Sequence, residues 1–183
     1  MTRVFNYPIY FLSMDDLVGK LKRIIFLDEK KVGVSGRILG HYFDFNRVCA
    51  YPDVLIEVVD RFKDKVNQRT NLLVGCGSGA SALVTAMGTR YNIGFCWTRD
   101  EKKGHGVESD FEGSFPNSES LVTIVDDVLT TGGTMLRTKK IVERTNAEIL
   151  GYSVVINRVK VSLKELEPFT WLFKEKEFLD YRN

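Results

Sequence analysis

The chain has 183 residues, 44% of them hydrophobic and 27% charged, which is enough for one sizeable core and short for two. Its formal charge of +2 excludes a surface dominated by one sign, so neither a nucleic-acid stripe nor a polybasic membrane face is expected, and any anion site must be local. Three widely spaced cysteines, Cys49, Cys76 and Cys96, exclude a disulfide framework and zinc-ligand pairs, and reduced, mostly buried thiols in a cytoplasmic protein are expected.

The apolar patch at residues 9–12 is too short for a signal sequence or a membrane span. Pro8, Pro52, Pro116 and Pro168 are dispersed and no linker interrupts the chain, so one domain over residues 1–183 is expected. Ser13 looks like a helix cap with Asp16 three residues on, and Met14, Leu17, Leu21, Ile24 and Ile25 recur at helical spacing. Residues 38–45, ILGHYFDF, have strand-like aromatic content. Taken alone, Tyr42, Phe43 and Phe45 would be core residues. From Pro52 a surface helix is predicted, with Leu55, Val58, Val59, Phe62 and Val66 on its inner face.

Residues 71–75 read as a short buried strand. Gly75-Cys76-Gly77-Ser78-Gly79 then opens a helix running to about Tyr91. Such a loop can wrap a pyrophosphate through backbone N–H groups, and glycines are also what any tight turn needs. Residues 93–97 form another strand, followed by the charged stretch 98–117, TRDEKKGHGVESDFEGSFPN. Loops of about 20 residues inside compact domains are commonly lids or binding loops. Arg99, Lys103 and His105 would give this one mobile cationic donors.

Residues 121–134, LVTIVDDVLTTGGT, couple an apolar run to two acids and a loop rich in hydroxyls and glycine. Successive strand residues point to opposite faces, so continuing the strand through Asp126 and Asp127 would drive one carboxylate into the core; the strand is therefore expected to end there. A helix carrying Met135, Leu136, Ile141 and Val142 follows. Free N–H groups at its start suit a phosphate monoester, and adjacent carboxylates suit vicinal hydroxyls of a ribose, directly or through a cation. Residues 147–156 are predicted as a strand ending at Asn157-Arg158, and alternating Phe169, Trp171 and Phe173 suggest an edge strand.

The hydrophobic run, two acids and TTGGT resemble the phosphoribosyl-diphosphate (PRPP) signature of type I phosphoribosyltransferases. Ser35-Gly36-Arg37 followed by His41-Tyr42-Phe43-Asp44 resembles the base-binding hood of the orotate members, and the loop at 75–79 stands where that family has its pyrophosphate loop. Arg99, Glu101, Lys103, His105 and Gly106 match the R-x-E-x-K-x-H-G pattern of the family's flexible catalytic loop. The resemblance covers about residues 35–158. The chain departs from the family at Val34, Gly79 and Asp100, where lysine is usual.

The resemblance implies an α/β fold with a type I phosphoribosyltransferase-like parallel-sheet core flanked by helices, and a small hood from about residues 1–50 and the C-terminal segment. It implies phosphoribosyl transfer from PRPP to a base, orotate first, yielding orotidine 5′-monophosphate and pyrophosphate. Lys103, His105 and Arg99, with Asp126 and Asp127, would be catalytic. PRPP would be bound by Asp126, Asp127, Thr130, Thr131, Gly132, Gly133 and Thr134, by Cys76, Gly77 and Ser78, and by Lys102. Tyr42, Phe43 and Arg158 would hold the base, since an arginine fork pairs with a carboxylate bidentately. Mg²⁺ would be held mainly through PRPP, with no protein ligand assigned. A homodimer sharing its lids is implied, with no nucleic-acid or membrane partner. Two rivals stay open: a phosphoribosyltransferase for another, purine, base, and a PRPP-sensing regulator without transferase activity.

Overall fold

The computed structural model describes residues 16–27, 31–32, 38–39, 41–99, 110–159 and 163–181, with 31–32 and 38–39 by backbone alone. Helix α1 spans Leu17–Ile25 and runs directly into strand β1, Phe26–Leu27. Its cap is Asp16, whose Oδ1 accepts the Gly19 N–H at 2.9 Å. Ser13, expected to cap, lies outside the described residues. The predicted apolar stripe of Leu17, Leu21, Ile24 and Ile25 is buried.

The single aromatic strand expected at 38–45 is instead two short pieces. Strand β2 (Lys31–Val32) pairs antiparallel with β3 (Ile38–Leu39), and β1 pairs antiparallel with β4 (Tyr42–Phe43). A 3₁₀ turn at Phe45–Ala50 leads into α2, Pro52–Phe62, which has proline in its first turn as predicted.

Strand β5 (Leu72–Gly75), helix α3 (Ser81–Tyr91), strand β6 (Gly94–Thr98), strand β7 (Phe111–Gly113), strand β8 (Leu121–Leu129), helix α4 (Gly133–Glu143), strand β9 (Glu148–Asn157), strand β10 (Phe169–Lys174) and helix α5 (Glu175–Asp180) complete the described elements. Six strands make one sheet in the order β10-β9-β8-β5-β6-β7. Its pairings are parallel except for β7, which runs antiparallel on β6. The aromatic run at 169–174 is the edge strand that its alternation suggested. Phe111–Gly113 gives strand structure to part of a stretch read as loop throughout.

The strands alternate their side chains between two cores, as a sheet covered on both faces requires. Leu73, Val125 and Val155 join α1, α2 and α3 on one face. Leu72, Val74, Ile124 and Val154 join Met135, Ile141 and Val142 of α4 on the other. Thr123, the polar residue of the β8 run, is 1% exposed and shares a 2.7 Å hydrogen bond with Thr70, which removes most of the penalty for a buried hydroxyl.

The C-terminal segment closes against the first helix. Phe178 of α5 is fully buried, with its ring 5.1 Å from Phe43 and 5.8 Å from Phe173. Lys22 Nζ donates to the Tyr181 carbonyl at 2.8 Å. The Tyr181 ring packs where a Cβ on Gly19 would stand, so any larger residue at 19 would displace it.

Candidate functional site at the carboxyl ends of the central strands

Strand β8 does not stop at the acid pair. It runs through Asp126 and Asp127 to Leu129, and Asp126, Val128 and Leu129 pair with Val154, Ile156 and Asn157 of β9. Its other neighbour, β5, ends at Gly75 opposite Val125. The acids therefore lie where β8 keeps one partner and loses the other. Their carboxylates accept local N–H groups: Asp127 N–H donates to Asp126 Oδ1 at 3.0 Å, and Val128 N–H donates to Asp127 Oδ1 at 2.7 Å. This is the physical reason that the expected strand end fails, because each acid carries its own local donor into the strand.

Alternation sends the two carboxylates to different sides. Asp126 is 7% exposed on the α4 side, near the buried thiol of Cys76. Burial first, then the charge of Asp127, raises its carboxyl well above the ordinary carboxylate range. Asp127 is half-buried, near Tyr42 of β4. Burial again raises its carboxyl, opposed by the Val128 N–H and reinforced by the charge of Asp44. Two carboxylates that hold protons this readily would be relieved by a cation or by hydroxyl donors.

Beyond Leu129 the chain is exposed at Thr130 and Thr131, then turns inward at Gly132. Gly132 has φ of +80° and is the N-cap of α4. It brings no capping side chain, and Thr131 Oγ1 accepts the Gly133 N–H at 3.4 Å. An α-helix leaves its first N–H groups without intrahelical acceptors, and they carry the positive end of the helix dipole. Gly133 and Thr134 are exposed there. The residues expected to bind PRPP in this loop thus form one solvent-facing cup, except Gly132, whose role is to turn the chain.

The glycine loop after β5 is organised differently. Cys76 N–H donates to Val125 O at 2.9 Å, and Gly77 N–H donates to Thr98 Oγ1 at 3.0 Å. Both residues are buried, and Gly77 has φ of +71°. The Cys76 and Gly77 N–H groups, expected to bind PRPP, both have acceptors inside the protein, and burial, with Asp126 beside it, pushes the Cys76 thiol well up. Ser78 is exposed, and a Cβ on Gly79 would stand 3.9 Å from an oxygen of Asp127. The outer half of the loop therefore faces the acids.

Thr98, which sequence reading missed, holds this arrangement together. It is 1% exposed at the end of β6, accepts from Gly77 and lies 3.1 Å from Thr138 Oγ1 of α4. The available signal was a hydroxyl closing the apolar run GFCWT at the carboxyl end of a strand.

Tyr42 and Phe43 are neighbours on β4 and so point oppositely. Tyr42 faces the acids: burial first, then the charges of Asp127 and Asp44, raises its hydroxyl above the usual value. Phe43 is 2% exposed and edge-packed against Phe26 and Phe178. The Phe43 ring, expected to hold the base, packs in the core in this structure. Arg158 follows β9, and its backbone N–H donates to Leu129 O at 2.9 Å. Its guanidinium lies 5.5 Å from the Phe43 ring and 2.6 Å from Glu175 of α5, a partner that the sequence did not reveal.

Arg99 is tied to the sheet edge by three contacts. Its N–H donates to Asp110 O at 2.8 Å, its Nε donates to Phe111 O at 3.0 Å and its guanidinium pairs with Glu112 at 3.0 Å. Asp110 is in turn paired at 2.7 Å with Arg144, the C-cap of α4. The two feet of segment 100–109 are thus pinned to the sheet edge. Lys102, Lys103 and His105 lie outside the described residues.

The phosphoribosyl transferase domain model matches residues 53–179. The chain is 25% identical to the orotate phosphoribosyltransferase of Sulfurisphaera tokodaii over 173 residues, 92% of this chain and 88% of that one. It is 29% identical to that of Pyrococcus furiosus over 136 residues, 73% of this chain and 74% of the relative. The crystal structure of orotate phosphoribosyltransferase from Aeropyrum pernix aligns with a TM-score of 0.75 at 19% identity, covering 90% of this chain and 97% of the other. With the family model spanning both strand-loop-helix units and the acid pair of β8, the chain belongs to the phosphoribosyl transferase domain family.

Proposed function

We propose that this protein transfers the 5-phosphoribosyl group of PRPP to orotate, giving orotidine 5′-monophosphate and pyrophosphate, a pentosyl transfer in pyrimidine nucleotide biosynthesis. The observation that carries the reading is the β8–α4 junction. Two carboxylates with raised proton affinity stand beside an exposed threonine-glycine cup at the start of a helix. The cup suits a 5-phosphate, received by the N–H groups of Gly133 and Thr134 and the hydroxyls of Thr130 and Thr131. The carboxylates suit ribose hydroxyls, which supply the donors that Asp126 and Asp127 lack.

Displacement at the anomeric carbon passes through a transition state with oxocarbenium character. Asp126 and Asp127 orient the ribose and offset its developing positive charge. Arg99, Lys102, Lys103 and His105 offset the charge gathering on the departing pyrophosphate, with Arg99 fixing the foot of the segment that carries the other three. The donor set, two adjacent carboxylates, fits Mg²⁺ held mainly by PRPP oxygens; when bound, the ion supplies further charge neutralisation on the diphosphate. Tyr42 closes the site from the hood side, and its burial helps to exclude water that would hydrolyse PRPP.

Orotate is the base because Arg158 places a cation at the end of β9, and because the matched archaeal relatives bear that name. The hood, drawn from about residues 1–50 and the C-terminal segment, belongs to one domain spanning residues 1–183, and the protein works as a cytoplasmic homodimer with the lid segment shared across the interface. The test is pyrophosphate release with PRPP, Mg²⁺ and a panel of bases. Release with orotate is expected, while release with adenine or hypoxanthine and none with orotate overturns the base assignment. Lys103→Ala should slow turnover by a large factor and leave PRPP binding measurable.

A further inference from the structure

Arg158 does not stand alone. Its Nε donates to Glu175 Oε1 at 2.6 Å, and His41 Nε2 lies 2.7 Å from the same oxygen and 3.2 Å from Arg158 Nη2. An arginine nitrogen only donates, so His41 Nε2 serves Glu175 when it carries a proton and Arg158 when it does not. A carboxylate oxygen only accepts, so in the 2.7 Å contact His41 Nε2 is the donor, and Glu175 is the acceptor on which both side chains converge. The three side chains are 10%, 21% and 20% exposed for Arg158, Glu175 and His41.

Glu175 is itself fixed. It is the first residue of α5, whose Glu177 side chain accepts the Lys174 N–H at 2.7 Å and whose Phe178 is fully buried between Phe43 and Phe173. His41 is stacked on Phe26 with ring centroids 5.2 Å apart, and the Arg158 guanidinium lies against the Phe43 ring. A guanidinium presents its donors as a rigid planar fork. With the Nε edge committed to Glu175 and the Phe43 ring beside it, the Nη1–Nη2 end has one orientation left.

We propose that Glu175, with His41, is a specificity-determining positioning residue that presents the Nη1–Nη2 end of Arg158 to the carboxylate of the base. This inference rests on the proposed function. A carboxylate at that end would be bound bidentately by a fork already held in place, so the ordering of a long side chain is met in folding and not in binding. The C-terminal helix thereby acts on base recognition.

The test is steady-state kinetics of Glu175→Ala and Glu175→Gln with orotate and PRPP varied separately. In Glu175→Ala the orotate KM should rise about tenfold or more, with kcat within about twofold and the PRPP KM unchanged, the pattern of lost ground-state binding at one substrate. Glu175→Gln keeps an acceptor oxygen and should show a smaller rise; it also provides the reading should Glu175→Ala fail to fold. An unchanged orotate KM overturns the proposal, and a lowered one shows that Glu175 competes with the base. Loss of PRPP affinity together with kcat shows a merely structural role and also overturns it. Should the wild-type protein use another base and not orotate, the base assignment fails separately. The KM of the accepted base then decides: a rise in Glu175→Ala upholds the positioning role and no change removes it. A wild-type chain that binds no base overturns both.

Discussion

The two strand-loop-helix units of the central sheet look alike in sequence and divide their labour in the structure. Each places a glycine-containing loop at the carboxyl end of a parallel strand, β5 in one case and β8 in the other, where open α/β sheets bind ligands. After β5, the first two loop N–H groups are consumed by Val125 and Thr98, so that half of the loop is a packed wall. After β8, the strand carries its acids to the end and the helix begins without a capping side chain, leaving donors exposed. Glycine at a turn says only that the backbone can bend there; which donors remain for a ligand depends on what the neighbouring strands have already taken.

The sharpest way to break this contrast is Asp127→Asn. If the β8 unit is the ligand-holding one, kcat/KM for pyrophosphate release falls by about 100-fold or more, the scale of losing a preorganised charge at a reacting centre. The thermal midpoint should not fall, because a half-buried carboxylate with raised proton affinity is removed. A loss of activity below about tenfold would move the chemistry away from the acids.

Thr98→Val tests the wall. It leaves the buried Gly77 N–H without its acceptor, which should lower stability by about 1–3 kcal/mol in denaturant unfolding. Thr130→Val, in the exposed cup, should leave stability unchanged and weaken PRPP binding. Equal stability losses in the two variants would erase the distinction between the loops.

The acids also predict a pH dependence. Both carboxyls are raised in the folded chain, so the folded state holds protons that the unfolded state has released. The stability they contribute is full below the ordinary carboxylate range and is lost as pH rises through the raised values. The thermal midpoint of the ligand-free protein should therefore fall as pH rises above the ordinary carboxylate range, and Asp126→Asn should flatten that slope. Saturating PRPP should raise the midpoint at both ends by mass action.

The smallest effect expected is from Gly79→Lys. The glycine has an ordinary backbone conformation and space toward Asp127, with a Cβ 3.9 Å from the carboxylate. An ammonium there offsets the acid pair and should raise the midpoint by about 2–4 °C. A fall would mean that the outer half of this loop is as tightly packed as the inner half.

Much of the architecture was legible because hydrophobic period and turn chemistry are local. The stripe of α1, the proline start of α2, the β5, β6 and β9 runs and the edge character of 169–174 all follow from spacing along the chain. The prediction that β8 ends before its acids failed because the rule against a buried carboxylate was applied without the donors: each acid accepts the next residue's N–H, and that arrangement is visible only in the folded backbone. Phe43 shows the reverse case. Aromatic content alone pointed to the core and the motif pointed to the base; strand alternation puts Phe43 in the core and turns Tyr42 toward Asp127.

By itself the sequence determined that a strand, two acids and a hydroxyl-rich turn stand together, because these are consecutive residues and no fold could separate them. It also determined that this unit belongs to an α/β domain, through the period of the runs around it. Only the tertiary structure decided which donors are already taken, that Thr98 ties one loop to the helix of the other, and that Glu175 meets Arg158 and His41. Those contacts join residues 17 to 134 positions apart. Each depends on strand order and helix docking that no local pattern encodes.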